Sequence, residues 1–563
     1  MLTMSDQAAA RLREAFSALQ MGQPDRAARL LQGLLRKAPR HFDALIALGA
    51  VRGEQGRFND AAALFERASK IRPDSADAHY NLGVAHAHLG SKEHAVDCYR
   101  NALRAEPQHL NASNNLAAVL LALDRPSEAL SCVEQGLACH PGDLQLLSKR
   151  GAALKDLRRV DDAIEDFRQV VQRQPNDPLG HGNLGLALKD GNRMDEAVSS
   201  LERAVSLDPR IAEHHNHLAL ALSGCGRLDD ALKSLRHAVE LDPEAPELHE
   251  NLGLLLLLKG DLEEGWTEYD FRHQLMRFKS QRLPTDAPAW NGEPLTNKSI
   301  LVYSEQGLGD TIQFVRYVPL LARQGASVTL AVQPKLIPLL SPLSDIAKVV
   351  SSHEAGSRFD FQSALLSLPR GFGTTPGRIP ADVPYLSADD RLVARWRERI
   401  GEDGFKIGIA WQGSPSFRDD QNRSIPLREF APLAEIPGVR LISLQRGLGT
   451  EQMAHVDFGA RIETLDGLDE SGAFLDSAAV MMSLDLAISS DTAVPHLAGA
   501  LARPFFVALG HVPDWRWLLE RDDCPWYPTA RLFRQHKKGD WTDVFVRMAA
   551  GVRAMMHSPG KNS

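Results

Sequence analysis

The sequence predicts a helical solenoid followed by an α/β region that holds two parallel sheets. Two observations lead to this prediction. Prolines recur at a constant interval of 34 residues through the first half of the chain, and short apolar runs alternate with helical patterns after residue 298. A fixed period of this length is typical of stacked helix-turn-helix units, because each unit buries its apolar face only against the next. Strands that alternate with helices favour parallel, doubly wound sheets.

Three positions mark the period of the repeat. The first is a proline, at Pro39, Pro73, Pro107, Pro141, Pro175, Pro209 and Pro243. An alanine stands twelve residues earlier, at Ala27, Ala61, Ala95, Ala129, Ala163, Ala197 and Ala231. From the second proline onward a small residue stands twenty-four residues earlier, at Gly49, Gly83, Ala117, Gly151, Gly185 and Ala219, and Gly253 has the same place in a final pair without the proline.

This spacing resembles the tetratricopeptide repeat, which has a small residue in its first helix, alanine in its second and proline at the closing turn. The resemblance predicts a superhelix over residues 1–275, a surface suited to recognition. Residues 247–275 form its final helix pair, in which Gly265 replaces the alanine. An atypical last unit is expected where a solenoid ends.

Composition narrows the class of protein. The 563 residues carry a formal net charge of −8, which gives no support to general binding of nucleic acid or anionic membranes. The first sixteen residues lack the apolar core of a signal peptide, and the apolar run Leu116–Leu123 is too short to cross a bilayer. The five cysteines form no CxxC pair, so we expect reduced thiols and a cytoplasmic protein.

The second half of the chain predicts two sheets. Its apolar segments predict strands at Ser299–Tyr303, Ser327–Val332, Phe361–Ser367, Lys406–Trp411, Arg440–Leu444, Leu484–Ile488 and Phe505–Leu509, with helices at Thr311–Arg323 and Lys335–Leu343. The proline-containing residues 276–297 are expected to be a linker. A break near residues 387–404 divides the remainder into an N-terminal half at 298–390 and a C-terminal half at 391–557.

The first segment that could carry chemistry is residues 305–311, which follows a predicted strand and opens a helix. Gly307 and Gly309 let backbone approach a ligand, and a helix N-terminus favours negative charge. Asp310 has two interpretations. It either caps the helix by accepting from free backbone N–H groups, or it faces the cleft and takes a proton from an acceptor hydroxyl.

The second segment is residues 486–497, where a strand ends in small polar residues and a helix begins with Pro495 in its first turn. Hydroxyls and free N–H groups at this point could hold a diphosphate. The alternative is structural: Asp491 or Thr492 is an N-cap, and His496 is a packed helix residue.

The third segment runs from Ala410 to Leu427, where a strand gives way to a polar loop with Arg418 and Arg423. A guanidinium beside a cleft could neutralise phosphate charge as a leaving group departs. An arginine in such a loop is otherwise a solvated surface residue.

These segments resemble the glycosyltransferase domain found behind bacterial tetratricopeptide repeats, which is related to the heptosyltransferases and more distantly to protein O-GlcNAc transferase. The resemblance covers nearly all of residues 280–550. Its motifs are PAWNGE (288–293), EQGLGDTIQFVRYVP (305–319), NRSIPL (422–427), SDTAVPHLAGALARP (490–504), PDWRW (513–517), PWYPTARLFRQ (525–535) and GDW (539–541). It implies the GT-B fold, in which two Rossmann-like sheets face each other across a cleft.

By that resemblance Asp310 matches the general base of heptosyltransferases, and Arg423 falls where relatives place a cation against the donor phosphates. The donor-binding residues it implies are Gly307, Gly309, Gln412, Arg423, Gln445, Ser490, Asp491, Thr492 and His496, with Arg446 beside Gln445 as a further candidate. The sequence departs from the heptosyltransferase pattern at Ala493, where glycine is usual, which leaves the donor's identity open. No Asp-x-Asp occurs after residue 290, so no metal or other cofactor is indicated besides the nucleotide-sugar co-substrate.

Polar residues recur two positions before the small residue of the first helix, at Asn81, Asn115, Lys149, Asn183, His217 and Asn251. Position in the repeat fixes direction, so these side chains are expected along one face of the superhelix. An asparagine amide donates and accepts, and can clasp a peptide backbone without reading its sequence. This resembles the asparagine ladder of protein O-GlcNAc transferase; the alternative is that asparagine is only tolerated on a solvated face.

The sequence therefore predicts a metal-independent, inverting O-glycosyltransferase that transfers a sugar from a nucleotide sugar to Ser or Thr of a protein captured by the repeats. Relatives with this layout include enzymes that modify flagellin, which makes flagellin a plausible acceptor. Two alternatives stay open: an enzyme that modifies a glycan or lipid, as heptosyltransferases do, and a repeat scaffold without activity. The sequence names neither the sugar nor its nucleotide, and the oligomeric state is equally hidden.

Overall fold

The computed structural model describes residues 4–279, 283, 285–354, 356, 358–414, 420–470 and 474–557. Arg418, named above, lies outside these residues. The chain divides into two compact units, one that ends at Cys225 and one that begins at Gly226. The second unit therefore holds the last helices of the repeat region together with both sheets. The domain limits expected from the sequence stay predictions.

The described part of the first unit is helical throughout, and each helix packs against its neighbours in sequence. The helices are α1 Met4–Gln20, α2 Pro24–Lys37, α3 Phe42–Glu54, α4 Phe58–Ile71, α5 Ala76–His88, α6 Lys92–Ala105, α7 Leu110–Leu121, α8 Pro126–Cys139, α9 Leu144–Asp156, α10 Val160–Arg173, α11 Pro178–Asp190, α12 Met194–Leu207 and α13 Ala212–Gly224.

Two of the three periodic positions have a packing reason. The recurrent alanines of the second helices are fully buried, with Ala61, Ala95 and Ala163 at 0% exposure. In four first helices, the small residue is a glycine that lies against a large side chain sixteen positions later: Gly49, Gly83, Gly151 and Gly185. A β-carbon on Gly83 would stand 2.6 Å from the Tyr99 ring, and one on Gly185 would stand 2.4 Å from Leu201 Cγ. The repeat thus needs a small residue wherever its second helix presents a large one.

The second unit begins with helices and continues into alternating strands and helices. Its helices are α14 Leu228–Leu241, α15 Pro246–Lys259, α16 Leu262–Tyr269, α17 Met276–Lys279, α18 Leu308–Phe314, α19 Val318–Arg323, α20 Ile337–Leu340, α21 Leu368–Gly371, α22 Asp390–Ile400, α23 Asp420–Arg423, α24 Ala431–Ala434, α25 Leu475–Met481, α26 Ala493–Ala500 and α27 Trp541–His557. Its strands are β1 Ser299–Tyr303, β2 Ser327–Val332, β3 Ala347–Ser351, β4 Phe361–Ala364, β5 Phe405–Ala410, β6 Val439–Ser443, β7 Leu486–Ser490, β8 Phe505–Leu509 and β9 Ala530–Arg534.

The strands form two parallel sheets with the orders β3-β2-β1-β4 and β6-β5-β7-β8-β9. The chain reverses its winding direction beside β1 in the first sheet and beside β5 in the second. Loops diverge at such a switch point and leave a crevice at the carboxyl ends of the strands. The fold class predicted from the sequence, a helical solenoid followed by an α/β region with two parallel sheets, is confirmed.

The element predictions were wrong in a few places. Strands β3 and β9 were not predicted, because each carries polar residues that interrupt its apolar pattern. The helix expected over Thr311–Arg323 is interrupted by a 3-10 turn at 315–317, before Pro319 in the first turn of α19. The helix expected over Lys335–Leu343 is broken in the same way by Pro338 and Pro342.

An aromatic cluster joins the helical start of the second unit to both sheets. The ring of Trp266 in α16 lies 6.2 Å from Phe314 in α18 and 5.1 Å from Trp515, which follows β8. Phe314 also contacts Trp526 at 5.7 Å. Buried aromatic side chains contribute more than other residues to packing energy. The cluster therefore fixes the positions of the loops that follow β1 and β8.

The cysteines described by the structure are all free thiols. Burial raises the pKa of Cys98, Cys132 and Cys524 to about 11. Among the described residues we find no helix with the length and apolar character needed to span a bilayer.

Candidate functional site

The loop after β1 places Asp310 beside the segment that follows β8 of the second sheet. Asp310 lies in the first turn of α18, and its Oδ2 accepts a hydrogen bond from the backbone N–H of Gly307 at 2.8 Å. Its Oδ1 accepts from the guanidinium of Arg516, which belongs to the second sheet's half. Both carboxylate oxygens thus have partners, although 19% of the side chain is exposed.

Arg516 is held by three groups at once. Its Nη1 donates to Asp514 Oδ1 at 2.8 Å, its Nε donates to Gln313 Oε1 at 2.9 Å, and its Nη2 donates to Asp310. The side chain is buried, with its guanidinium carbon 4.3 Å from the centre of the Trp515 ring. Arg516 was not among the residues predicted from the sequence. The only signal for it was its place inside the PDWRW motif.

The starts of α18 and α26 are in direct contact. A β-carbon added to Gly309 would stand 3.1 Å from His496 Cδ2 and 3.2 Å from Ala493 Cα. His496 is buried, its Nδ1 lies 3.1 Å from the hydroxyl of Tyr527, and its ring stacks on Trp517 at 5.4 Å. Burial, aided by nearby arginines, lowers the pKa of His496 well below its usual value. The imidazole is therefore neutral, and it packs against Trp517, Tyr527 and the start of α18 rather than supplying a cation.

The carboxyl end of β7 presents the predicted Ser490, Asp491 and Thr492. Thr492 is the N-cap of α26, because its hydroxyl accepts from the N–H of Val494 at 3.4 Å. The Ser490 hydroxyl is fully buried, and we find no hydrogen-bond partner for it among the described residues. Ser489 donates to the Ser490 carbonyl at 2.8 Å and so fixes the strand end.

Asp491 is the most perturbed carboxyl of the site. Burial raises its pKa to about 7, and the like charge of Asp514 acts in the same direction. Trp517 and the guanidinium groups of Arg516 and Arg423 oppose the shift. A carboxyl that titrates near neutrality can exchange a proton at physiological pH, which makes Asp491 a second candidate for acid–base chemistry.

The loop after β5 and the end of β7 are joined through Arg423. Its Nε donates to Asp420 Oδ1 at 3.1 Å, and its Nη1 donates to the carbonyl of Asp491 at 3.2 Å. A β-carbon on Gly413 would stand 2.5 Å from Asp420 Oδ1 and 2.7 Å from Arg423 Nη2, so a larger residue there would displace this ion pair. Gly413 was not predicted as a site residue, although it stands in the segment that the sequence singled out.

Gln445 has a structural part in the same loop. Its amide oxygen accepts from the N–H groups of Trp411 and Gln412, both at 3.0 Å, and its amide nitrogen donates to the carbonyls of Gln412 and Leu448 at 3.1 and 2.8 Å. The side chain of Gln412 in turn accepts from Gln452 at 3.0 Å. Gln445 therefore shapes the backbone on which Gln412 stands.

A buried ion pair supports the first residue of the β1 loop. Arg272, at 0% exposure, donates to Glu305 Oε1 at 2.6 Å and to Asp270 Oδ1 at 2.7 Å. Gln306 donates to the Tyr269 hydroxyl at 2.6 Å. Burial raises the pKa of Glu305, and the charge of Arg272 opposes that shift. The segment after α16 thus holds the Glu305–Asp310 loop, a connection that the sequence did not indicate.

The structure brings together most of the predicted donor-site residues. The β1 loop with Gly307, Gly309 and Asp310 lies at the same edge as the β7 end and His496, and Arg423 connects that end to the β5 loop. Over the described ranges, no group of three or more His, Cys, Asp or Glu side chains is arranged to hold a metal ion.

In the first unit, the predicted groove residues lie on the first helices of successive repeats. Asn115 donates to the Tyr80 hydroxyl at 3.4 Å, and Lys149 donates to Asn114 Oδ1 at 3.2 Å. Asn81 is half-buried and Asn183 is exposed. Burial lowers the pKa of His217 to about 4, so this imidazole is neutral. Asn251 lies on α15 of the second unit.

Comparison with known proteins identifies the repeats. Models described as tetratricopeptide repeat match residues 12–52, 76–109, 93–143 and 148–214, and a TPR repeat model matches residues 49–90 and 225–260. The helical region is therefore built of tetratricopeptide repeats.

Similar proteins share parts of the chain. Protein FlbA of Caulobacter vibrioides is 27% identical over 320 residues, which cover 53% of each protein, so the chain spans about half the length of this curated relative. A tetratricopeptide repeat protein from Parabacteroides merdae is 15% identical with a TM-score of 0.37, over 44% of this chain and 98% of that one. YrrB, described as a TPR protein with an unusual peptide-binding site, is 20% identical with a TM-score of 0.31, over 35% of this chain and 99% of that one.

Proposed function

We propose that this protein is a cytoplasmic O-glycosyltransferase that transfers a sugar from a nucleotide sugar to Ser or Thr of a protein held by its repeats. One observation carries the proposal: the loops after β1, β5 and β7, selected from the sequence for their chemistry, lie at the switch points of two parallel sheets. Ligands of open α/β sheets bind in crevices at such points. The resemblance of residues 280–550 to glycosyltransferases supplies the reaction class, and its relatives make flagellin the first acceptor to test.

The donor's diphosphate is proposed to bind at the end of β7. Ser490 carries a buried hydroxyl at this point, Thr492 begins α26, and Arg423 brings a guanidinium to the Asp491 carbonyl. Hydroxyl groups, helix N–H groups and arginine are the usual phosphate ligands of proteins. This set of groups stabilises a departing diphosphate without a metal ion.

The acceptor hydroxyl is proposed to lose its proton to Asp310. A general base must come within about 2.6–3.2 Å of the proton it removes, and free-enzyme geometry commonly tightens only when substrate binds. Arg516 and the Gly307 N–H each bond one oxygen of Asp310, and the guanidinium makes the carboxylate a weaker base until that contact yields. The oxygen then attacks the anomeric carbon from the face opposite the diphosphate and inverts its configuration.

The acceptor polypeptide is proposed to lie along the repeat face that carries Asn81 and Asn183. Asn81 lies on α5 and Asn183 on α11, at the same position of repeats that are three units apart, and their amides suit recognition of a peptide backbone. The side chains of Asn115 and Lys149 already form hydrogen bonds to the preceding repeat, so they have fewer donors and acceptors left for a peptide.

A non-catalytic scaffold is the second candidate. The observation in its favour is the pairing of Asp310 with Arg516, which occupies the proposed base. A transferase that modifies a glycan or lipid is the third, with the repeats used only for assembly.

Intact-protein mass spectrometry distinguishes these functions. Cells carry either the wild-type gene, a deletion, Asp310→Ala or the control Asp466→Ala, whose side chain is 97% exposed. We expect flagellin or another protein to lose a sugar-sized mass in the deletion and in Asp310→Ala, and to keep it in the control. Unchanged protein masses in the deletion would refute a protein acceptor. Loss in the deletion but not in Asp310→Ala would refute the role of Asp310 alone.

A further inference from the structure

Arg516 connects two parts of the proposed site. Its own segment packs against the start of α26, because Trp517 stacks on His496. Its guanidinium reaches across to Asp310 in the other half. The charge of Arg516 also acts on the carboxyl of Asp491 and on the imidazole of His496. A cation at this place adjoins both the proposed base and the proposed diphosphate site.

The charges around Arg516 are unbalanced. Asp310 and Asp514 both accept hydrogen bonds from Arg516, and its charge also acts on the carboxyl of Asp491. The second guanidinium of the group belongs to Arg423, which bonds to the Asp491 carbonyl. An incoming diphosphate adds negative charge to this group. Its binding therefore needs a cation that is not already neutralised by a carboxylate.

We infer that Arg516 exchanges partners during the reaction: it holds Asp310 in the free protein and moves to the donor's diphosphate when the nucleotide sugar binds. This inference rests on the proposed function. Two of the three contacts of Arg516, those to Asp310 and Gln313, reach α18 in the other half. The contact to Asp310 is the charged one and competes with the diphosphate, so donor binding can break it while Asp514 and Gln313 keep the side chain in place.

The exchange of partners sets the order of donor binding and proton transfer. Asp310 Oδ1 becomes available only after the diphosphate has bound, and it then accepts the proton of the acceptor hydroxyl. The hydroxyl oxygen forms a bond to the anomeric carbon as the bond between that carbon and the phosphate oxygen breaks. The bonding electron pair leaves with the nucleoside diphosphate, whose charge Arg516 and Arg423 stabilise. In this scheme Arg516 is both a phosphate ligand and a positioning residue for Asp310.

Competition between Asp310 and the diphosphate for Arg516 predicts that removing the charge of Asp310 strengthens diphosphate binding. If Asp310 and the diphosphate compete for Arg516, neutralising the carboxylate by Asp310→Asn tightens diphosphate binding, by about tenfold, the factor expected for one charge-assisted contact. Arg516→Gln weakens binding by a similar factor. The gain from Asp310→Asn falls to less than about twofold when Arg516 is already Gln, because the pair is then uncoupled.

The test is titration calorimetry of the full chain with inorganic pyrophosphate and with ADP, CDP, GDP, UDP and dTDP. Arg521→Gln is the matched control, since this arginine of the same segment pairs with Asp523 and not with Asp310. Circular dichroism verifies folding, and Asp310→Asn keeps the test decisive if Arg516→Gln does not fold.

The outcomes are distinct. Tighter binding by Asp310→Asn that disappears in the Arg516→Gln background supports the exchange. An unchanged or weaker affinity in Asp310→Asn overturns the exchange and leaves the proposed function standing. An equal gain in both backgrounds also overturns it, because general charge repulsion then accounts for the gain. Failure of every probe to bind the wild type and Asp310→Asn overturns the proposed function and the exchange with it.

Discussion

Gly309 lies directly against His496, so the first turns of α18 and α26 meet without an intervening side chain. A β-carbon at Gly309 would come within 3.1 Å of the imidazole and 3.2 Å of the Ala493 backbone. The imidazole has little freedom to move, since Tyr527 and Trp517 hold it on two sides. This contact between the two halves of the second unit therefore depends on a glycine.

We expect Gly309→Val to destabilise the protein by about 1–3 kcal/mol, because overpacking a close contact forces the neighbouring elements apart. Urea denaturation, followed by tryptophan fluorescence, measures the free energy of unfolding. Gly377→Val is the control, since a β-carbon there would meet nothing within 4 Å. Equal losses at the two positions would contradict the contact.

The buried pair of Arg272 and Glu305 provides a second prediction. Arg272→Met leaves a carboxyl without its cation in an apolar environment, which costs about 3–5 kcal/mol. We expect Arg272→Met combined with Glu305→Met to recover much of that loss, because the double variant no longer buries Glu305 without its cation, and Asp270 keeps its pairing with Arg370. Urea denaturation measures the free energy of unfolding of the single variant, the double variant and the wild type.

A surface arginine serves as the control for this pair. Arg236 bonds to Glu264, and 51% and 41% of the two side chains are exposed. Exposed ion pairs contribute little, so Arg236→Met is expected to change stability by less than about 1 kcal/mol. A double variant as unstable as Arg272→Met would show that shape, and not charge, determines the effect.

The fold was more predictable than the site, and the reason is the range of the contacts. The 34-residue period appears in the sequence because every repeat makes the same contact, such as Gly83 against Tyr99. Strand ends such as the one at Ser490 are visible because apolar runs stop there. The contact of Arg516 with Asp310 joins residues 206 positions apart, and it depends on how two sheets pack. No local pattern encodes it.

The same limit applies to the roles of the predicted site residues. Gln445 was singled out as a possible nucleotide contact, yet its amide is bonded to the backbone of the β5 loop. His496 has a neutral, buried ring because of Tyr527 and Trp517, which are distant in the sequence. Spacing shows where a polar group stands, whereas its partners depend on tertiary structure.

The pKa of Asp491 predicts a dependence of stability on pH. Its pKa is about 7 in the folded protein, and the ordinary value for aspartate is about 4. Between these values the folded state binds a proton that the unfolded state lacks, so stability falls as pH rises, by at most about 1.4 kcal/mol per pH unit. Above pH 7 both states are ionised and this contribution stops changing.

Asp491→Asn removes the titrating group. We expect the stability of Asp491→Asn relative to wild type to increase from pH 4 to pH 7 and then to level off. Urea denaturation at pH 4, 5, 6, 7 and 8 measures this difference, with Asp466→Asn as an exposed control. A difference that is independent of pH would show that Asp491 titrates in its ordinary range.

The packing of the repeats predicts opposite effects on stability for alanine substitutions at two helical glycines of the first unit. Gly185 in α11 lies against Leu201 of α12, and an added β-carbon would stand 2.4 Å from Leu201 Cγ. Gly53 in α3 has no atom within 4 Å of such a β-carbon. Gly185→Ala is therefore expected to destabilise the protein by about 1–3 kcal/mol, because the helices must separate. Gly53→Ala is expected to stabilise it by up to about 1 kcal/mol, because alanine loses less conformational entropy in a helix. Urea denaturation followed by helical circular dichroism measures both, and effects of the same sign would refute the packing rule derived for these repeats.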